Sequence, residues 1–181
     1  MRREVLLANG GQPLPRKMEL LDPERAEELL ESYRLHNEEL HEDLIEAFPK
    51  VEASLARLRD ASLSLAVVTS KRRLSLEMSL GSFPALRGAV NAFVTMEDTT
   101  EHKPHPAPLL KGLELFGDAP PETAAYVGDS PFDVAAAHAA RMSSVAVSWG
   151  VFTEEALREA EPDRLFEDLD SAVEFLLRVT N

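Results

Sequence analysis

Two carboxylates four residues apart, Asp129 and Asp133 in the stretch VGDSPFDV, follow a short apolar run. AAYV before them reads as a buried strand, and DVAAAHAA at their end is a strong helix former. That spacing puts Asp129 at the carboxyl end of the strand and Asp133 on the first turn of the next helix, facing the same side. Such a pair can hold a hard divalent cation. It can equally cap the helix, because Ser130 and both acids are favoured at a helix N-terminus. The stretch alone leaves the two readings balanced.

Other residues with chemical potential lie upstream. Thr69 and Ser70 follow LAVV, and Lys103 with Pro104 comes shortly after AFVT. Taken singly, Thr69 fits an ordinary hydroxyl-stabilised turn and Lys103 a solvated loop. Taken together with the acidic pair, they supply a hydroxyl donor, a fixed cation and a metal site. Those are the parts needed to hold a phosphoryl group. They must first be brought to one rim.

The elements that do this follow from periodicity. VEASLARLRDA reads as a helix, LSLAVVTS as a strand, KRRLSLEMSLGSF as a helix and AVNAFVT as a strand. Next come helix HPAPLLKGLELFG, strand AAYVGD, helix SPFDVAAAHAARM and strand SSVAVSWG. Helix TEEALREAE, strand or extended edge RLFEDLD and helix SAVEFLLRVT complete the chain. This alternation predicts an α/β, Rossmann-like parallel sheet with helices on both faces. Ligands of such sheets bind beyond the carboxyl ends of the strands, where these residues fall. Residues 22–47 show helical periodicity, with Leu29, Leu30, Tyr33, Leu40 and Leu44 as the apolar side. Asp22 and Pro23 read as cap and first position, and the many Glu as a solvated face.

The 181 residues carry 32 acidic and 19 basic side chains, a formal charge of −13. That argues against nucleic acid or an anionic membrane as partner. A small anionic substrate stays compatible, since a metal and a lysine reverse the potential locally. No Cys is present, so neither disulfide nor thiolate chemistry is available. The apolar patch near Met1 is too short for a signal-peptide core or a membrane span, and a cytoplasmic protein is expected.

LAVVTS, HKPHPAPLL and AAYVGDSPFDVAAA, in that order, resemble the second, third and fourth motifs of haloacid dehalogenase-like phosphatases, closest to the phosphoglycolate phosphatase and pyrophosphatase branch. The resemblance covers about residues 48–181 as the α/β core, and residues 1–47 look like part of a helical cap whose loop contains GGQPLP. It implies a hydrolase of small phosphorylated metabolites. Thr69, with Ser70 beside it, would bind the phosphoryl oxygens. Lys103 would neutralise the phosphate. Asp129 would ligate Mg²⁺, with Asp133 supporting it directly or through water. A receiver-like signalling domain uses similar residues but places its acids before the Thr and Lys. A nucleotide-binding dehydrogenase is disfavoured because no G-x-G-x-x-G follows a strand. His102 and His105 beside Lys103 read as solvated loop residues, and Trp149 as packing near the rim.

Two departures stand out. The family's first motif, an Asp-x-Asp on the central strand that supplies nucleophile and acid/base, is absent. Before Thr69 the only Asp are Asp22, Asp43 and Asp60, none after an apolar strand. Without that strand its neighbours would face a gap of roughly 10 Å, two strand spacings. The chain is therefore expected to begin late, to be inactive as it stands, and to offer open strand edges for pairing between chains. A non-catalytic protein that binds phosphate or a partner is the alternative. The second departure is Ser62, Ala137 and Arg141 where the family often has Gly, at positions expected to need positive φ or close approach.

Overall fold

The computed structural model describes residues 9–179. The apolar patch near Met1 and the end of the last predicted helix at Thr180 lie outside them. In chain order the elements are α1 Leu14–Leu21, α2 Ala26–Leu44, α3 Val51–Asp60, β1 Ala66–Val68, α4 Arg73–Ser82, α5 Pro84–Ala89 and β2 Ala92–Val94. They continue with α6 Ala107–Glu114, β3 Ala125–Gly128, α7 Pro131–Ala140, β4 Ser143–Val147, α8 Glu154–Glu159, β5 Arg164–Phe166 and α9 Leu169–Val179.

All strand pairs are parallel, but they form two sheets. β1 pairs β2 with Val67 opposite Phe93, while β3, β4 and β5 pair in that order with Val127 opposite Val145 and Ala146 opposite Leu165. Among the described residues no ladder joins β1 to β3, so the expected gap is present. A single side chain spans it: the Tyr126 hydroxyl on β3 donates to the Val68 carbonyl on β1 at 3.0 Å.

Helix α6 holds the two sheets together. Its Leu109 and Leu113 pack on Ala136, Ala137 and Ala140 of α7, with Val68 of β1 and Tyr126 of β3 against the same cluster. A second cluster, Val134, Ala146 and Leu157, fastens α7 and α8 to β4. The β4 strand reads SSVAV because both its faces are covered, and Ser144 through Val147 are buried. No helix among the described residues is long and apolar enough to cross a membrane.

The helical pair α1 and α2 differs from the sequence reading in three ways. LPRKMELL, of which only Leu14 and Pro15 fall in the expected GGQPLP loop and the rest has no assigned element, is helix α1 with Met18 buried. α2 begins at Ala26, not Pro23, because 23–25 form a turn in which Asp22 Oδ1 accepts the Arg25 amide at 3.3 Å. The expected apolar side is not its buried face: Tyr33, Leu40 and Leu44 are exposed, whereas His41 is 7% exposed. Two links dock the pair on the core. Ser70 Oγ donates to the Gly11 carbonyl at 2.6 Å, and Arg72 at the N-terminus of α4 pairs with Glu38 of α2.

Candidate functional site

The strand–turn–helix from Ala125 to Ala140 builds one side of the site. Pro131 sits in the first turn of α7, where its missing N–H costs nothing. Ser130 is the N-cap, and its hydroxyl accepts the Asp133 amide at 3.2 Å. Asp133 Oδ2 reaches back to the Ser130 amide at 3.1 Å and hydroxyl at 2.8 Å, completing a capping box. Asp133 Oδ1 accepts Lys103 Nζ at 2.7 Å, and the two side chains are only 6% and 7% exposed. Lys103 Nζ also donates to the Tyr126 hydroxyl at 2.9 Å. The floor is thus a connected chain from Ser130 through Asp133, Lys103 and Tyr126 to the Val68 carbonyl.

The electrostatics follow from that chain. Burial works against the Lys103 ammonium, but Tyr126 and Asp133 outweigh it and hold its pKa above the ordinary lysine value. Burial pushes the Tyr126 phenol up to about 12, so it is a neutral hydrogen-bonding group at physiological pH.

The geometry separates the two acids that the sequence left paired. Asp133 does the capping and holds the buried lysine. Asp129 caps nothing and makes no ion pair among the described residues. Burial raises its pKa, and the like charge of Asp133 raises it further. Two glycines make room for both acids. A Cβ on Gly150 would fall 2.1 Å from Asp129 Oδ2, and one on Gly128 2.4 Å from the Asp133 Cβ. Any side chain there would displace a carboxylate.

Across the gap, the Thr69 amide donates to the Val94 carbonyl at 2.9 Å, which extends the β1–β2 pairing. The Thr69 hydroxyl accepts the Lys71 amide at 3.2 Å, so the turn reading holds while its O–H is left to donate. The Ser70 hydroxyl is spent on Gly11.

Thr69, Ser70, Lys103, Asp129 and Asp133 all line one cleft of about 480 Å³, which runs between the facing edges of β1 and β3 and under α1 and α2. His102, His105 and Trp149 do not line it; His105 Nδ1 instead accepts the Ala107 amide at the start of α6. Sequence reasoning missed Tyr126, whose polar tip in an otherwise apolar strand was the available signal. It also missed Lys17, Arg34 and His41, which reach the cleft from α1 and α2.

The donor set around Asp129 is sparse. Among the described residues no group of three or more His, Asp or Glu gathers as metal ligands. One half-buried, unpaired carboxylate beside a second fits Mg²⁺, which keeps several waters and takes one or two protein carboxylates plus substrate oxygens, and does not fit an all-protein cage.

Residues 2–147 match the family model described as haloacid dehalogenase-like hydrolase. A Caldanaerobacter subterraneus protein described as a candidate pyrophosphatase PpaX is 40% identical over 166 residues, which is 92% of this chain and 74% of that one. The pyrophosphatase PpaX of Bacillus cereus is 33% identical over 175 residues, 97% of this chain and 80% of its own. A solved hydrolase from Pseudomonas syringae, at 22% identity, shares the fold with a TM-score of 0.85 over 99% of this chain and 84% of that one. The strand-end cleft, the order of the motifs around it and a match over most of the chain agree, and the chain belongs to the haloacid dehalogenase-like hydrolase family.

Proposed function

We propose that the cleft is the phosphate- and metal-binding part of a Mg²⁺-dependent phosphohydrolase acting on small phosphorylated compounds, with pyrophosphate and phosphoglycolate as the first to try. The observation that carries this is the meeting of Thr69, Lys103 and Asp129 in one cleft at the carboxyl ends of the strands. In this reading residues 1–47 cap the site. The Thr69 hydroxyl donates to a phosphoryl oxygen, and the Lys103 ammonium supplies positive charge from the floor. Asp133 fixes where that ammonium sits. Asp129 would hold Mg²⁺, whose contribution when bound is to neutralise charge on the phosphoryl oxygens.

A second reading has its own support. Covalent phosphoryl transfer needs a free carboxylate as nucleophile. Among the described residues the only carboxylates lining the cleft are Asp129, the proposed metal ligand, and Asp133, committed to Lys103 and Ser130. We therefore propose that residues 1–181 by themselves bind phosphate and metal without turnover.

The test is calorimetry of inorganic phosphate in magnesium buffer, alongside turnover of p-nitrophenyl phosphate and pyrophosphate. The parent should bind phosphate. Lys103→Met and Thr69→Val, each first checked by melting, should weaken it, Lys103→Met by about tenfold or more. No phosphate binding by the folded parent sinks the site. Metal-dependent turnover by the parent refutes the second reading and means that another residue acts as nucleophile.

A further inference from the structure

Among the described residues three cations line the cleft without meeting a carboxylate: Lys17 on α1, Arg34 on α2, and Lys71 just after Ser70. That is unusual in this molecule. Elsewhere among the described residues the Lys and Arg side chains pair with Asp or Glu, Arg59 and Arg164 excepted, and those two donate to backbone carbonyls. In a chain with 32 acidic residues, unpaired cations gathered in one cleft point to an anion that arrives from outside.

Helix α2 adds a second and independent observation. Arg34, Asn37 and His41 fall at i, i+3 and i+7, one stripe of the helix, and all three line the cleft. Arg34 Nε is buried and has no hydrogen-bond partner. His41 is more than nine-tenths buried, and its Nε2 also lacks a partner. Buried polar atoms are almost always satisfied, so two orphans on one stripe facing one cleft call for a ligand. Burial lowers the pKa of Lys17, as for an ammonium held in a partly dry place without its counter-ion.

We propose that Lys17 and Arg34, on the stripe shared with Asn37 and His41, hold a second anionic group of the substrate. The cleft would then select compounds carrying a further phosphate or carboxylate beside the phosphoryl group bound at Lys103, over simple phosphates. This rests on the phosphate reading of the floor given above. The guanidinium of Arg34 offers the planar fork that either group accepts, and an ammonium at Lys17 supplies a point charge beside it.

The experiment is calorimetry of inorganic phosphate, pyrophosphate and phosphoglycolate, in one magnesium buffer, on the parent, Arg34→Gln and Lys17→Met. Melting curves confirm that each variant is folded, and Lys17→Met stands in if Arg34→Gln is not. The parent should prefer at least one of the two larger compounds over inorganic phosphate. Each variant should lose about tenfold of that preference, the worth of a charge-assisted contact. A larger loss for pyrophosphate identifies the second group as phosphate, and a larger loss for phosphoglycolate as carboxylate; either supports the proposal. A parent that binds inorganic phosphate through Lys103 but prefers neither compound overturns this inference alone. So does a preference kept within about twofold in the folded variants. A parent that binds none of the three overturns the floor and the wall together.

Discussion

Asp129 and Asp133 share a chain segment and a residue type, yet they stand in opposite thermodynamic positions. Asp133 is a buried partner of a buried lysine and satisfies the N-terminus of α7. Removing one member of such a pair leaves the other charge unpaired in the interior. Asp133→Ala should therefore destabilise the fold by about 3–5 kcal/mol, read from urea melts. Asp129 is the reverse case. Its pKa is raised by burial and by Asp133, so the folded chain holds that proton more tightly than the unfolded chain does. Ionised Asp129 thus costs stability once the pH rises above the ordinary carboxylate range. Asp129→Asn should melt at a slightly higher temperature than the parent near pH 7 in chelator, an effect kept small by solvent screening. The same change should remove any rise in melting temperature on adding Mg²⁺. A parent and variant that respond to Mg²⁺ alike would dissociate Asp129 from the metal.

At the scale of elements, the positions without glycine divide. Ser62 and Arg141 have φ of +63° and +60°, the left-handed region, each just after a helix: α3 and α7. Ser62→Gly and Arg141→Gly should each stabilise by about 0.5–1 kcal/mol, the relief of the Cβ clash less the entropy of glycine. The exposed Arg141–Glu122 pair lost in the second change is worth little. Differential scanning calorimetry of the single and double variants checks this, and a drop in both would remove the strain argument. Ala137 has no positive φ: it lies inside α7, fully buried in the cluster with α6, so only the close-approach half of the expectation applies to it. The α/β alternation was legible because each strand and helix carries its own apolar period, and the capping box at Ser130 was legible as Ser-x-x-Asp. α1 was not, because its Pro-rich entry has the composition of a loop and it is only 8 residues long. The buried stripe of α2 was hidden for a different reason. Arg34, Asn37 and His41 face a cleft, and a period of apolar residues cannot report a polar face. Tyr126 was invisible as a bridge because its partner, Val68, lies 58 residues away.

At the scale of the whole molecule, the net charge of −13 coexists with a cleft whose wall is cationic. Acidic surfaces then repel most anions, while the cleft admits those that match it. The division of the sheet has a consequence for how the molecule comes apart. Parallel strands normally lend one another cooperativity through a shared ladder; here β1–β2 and β3–β4–β5 are coupled instead by α6, by the packing of α3 on α9 and by one phenol. The molecule should open in two steps. Amides of β2 should exchange with deuterium through a partial opening of lower free energy than the one that exposes β4, which is flanked on both sides. Tyr126→Phe deletes the hydrogen bond to Val68, at a cost of about 0.5–1.5 kcal/mol, and with it the one that the hydroxyl accepts from Lys103. It should widen the difference in protection between the two halves more than it lowers the stability of β4. Equal protection of β2 and β4 in the parent, measured residue by residue, would overturn the two-step opening and mean that the helices and the phenol make one cooperative unit of both. A ligand spanning from Thr69 to Asp129 touches both halves, so its binding should register first as slowed exchange in β2, before any change in β4.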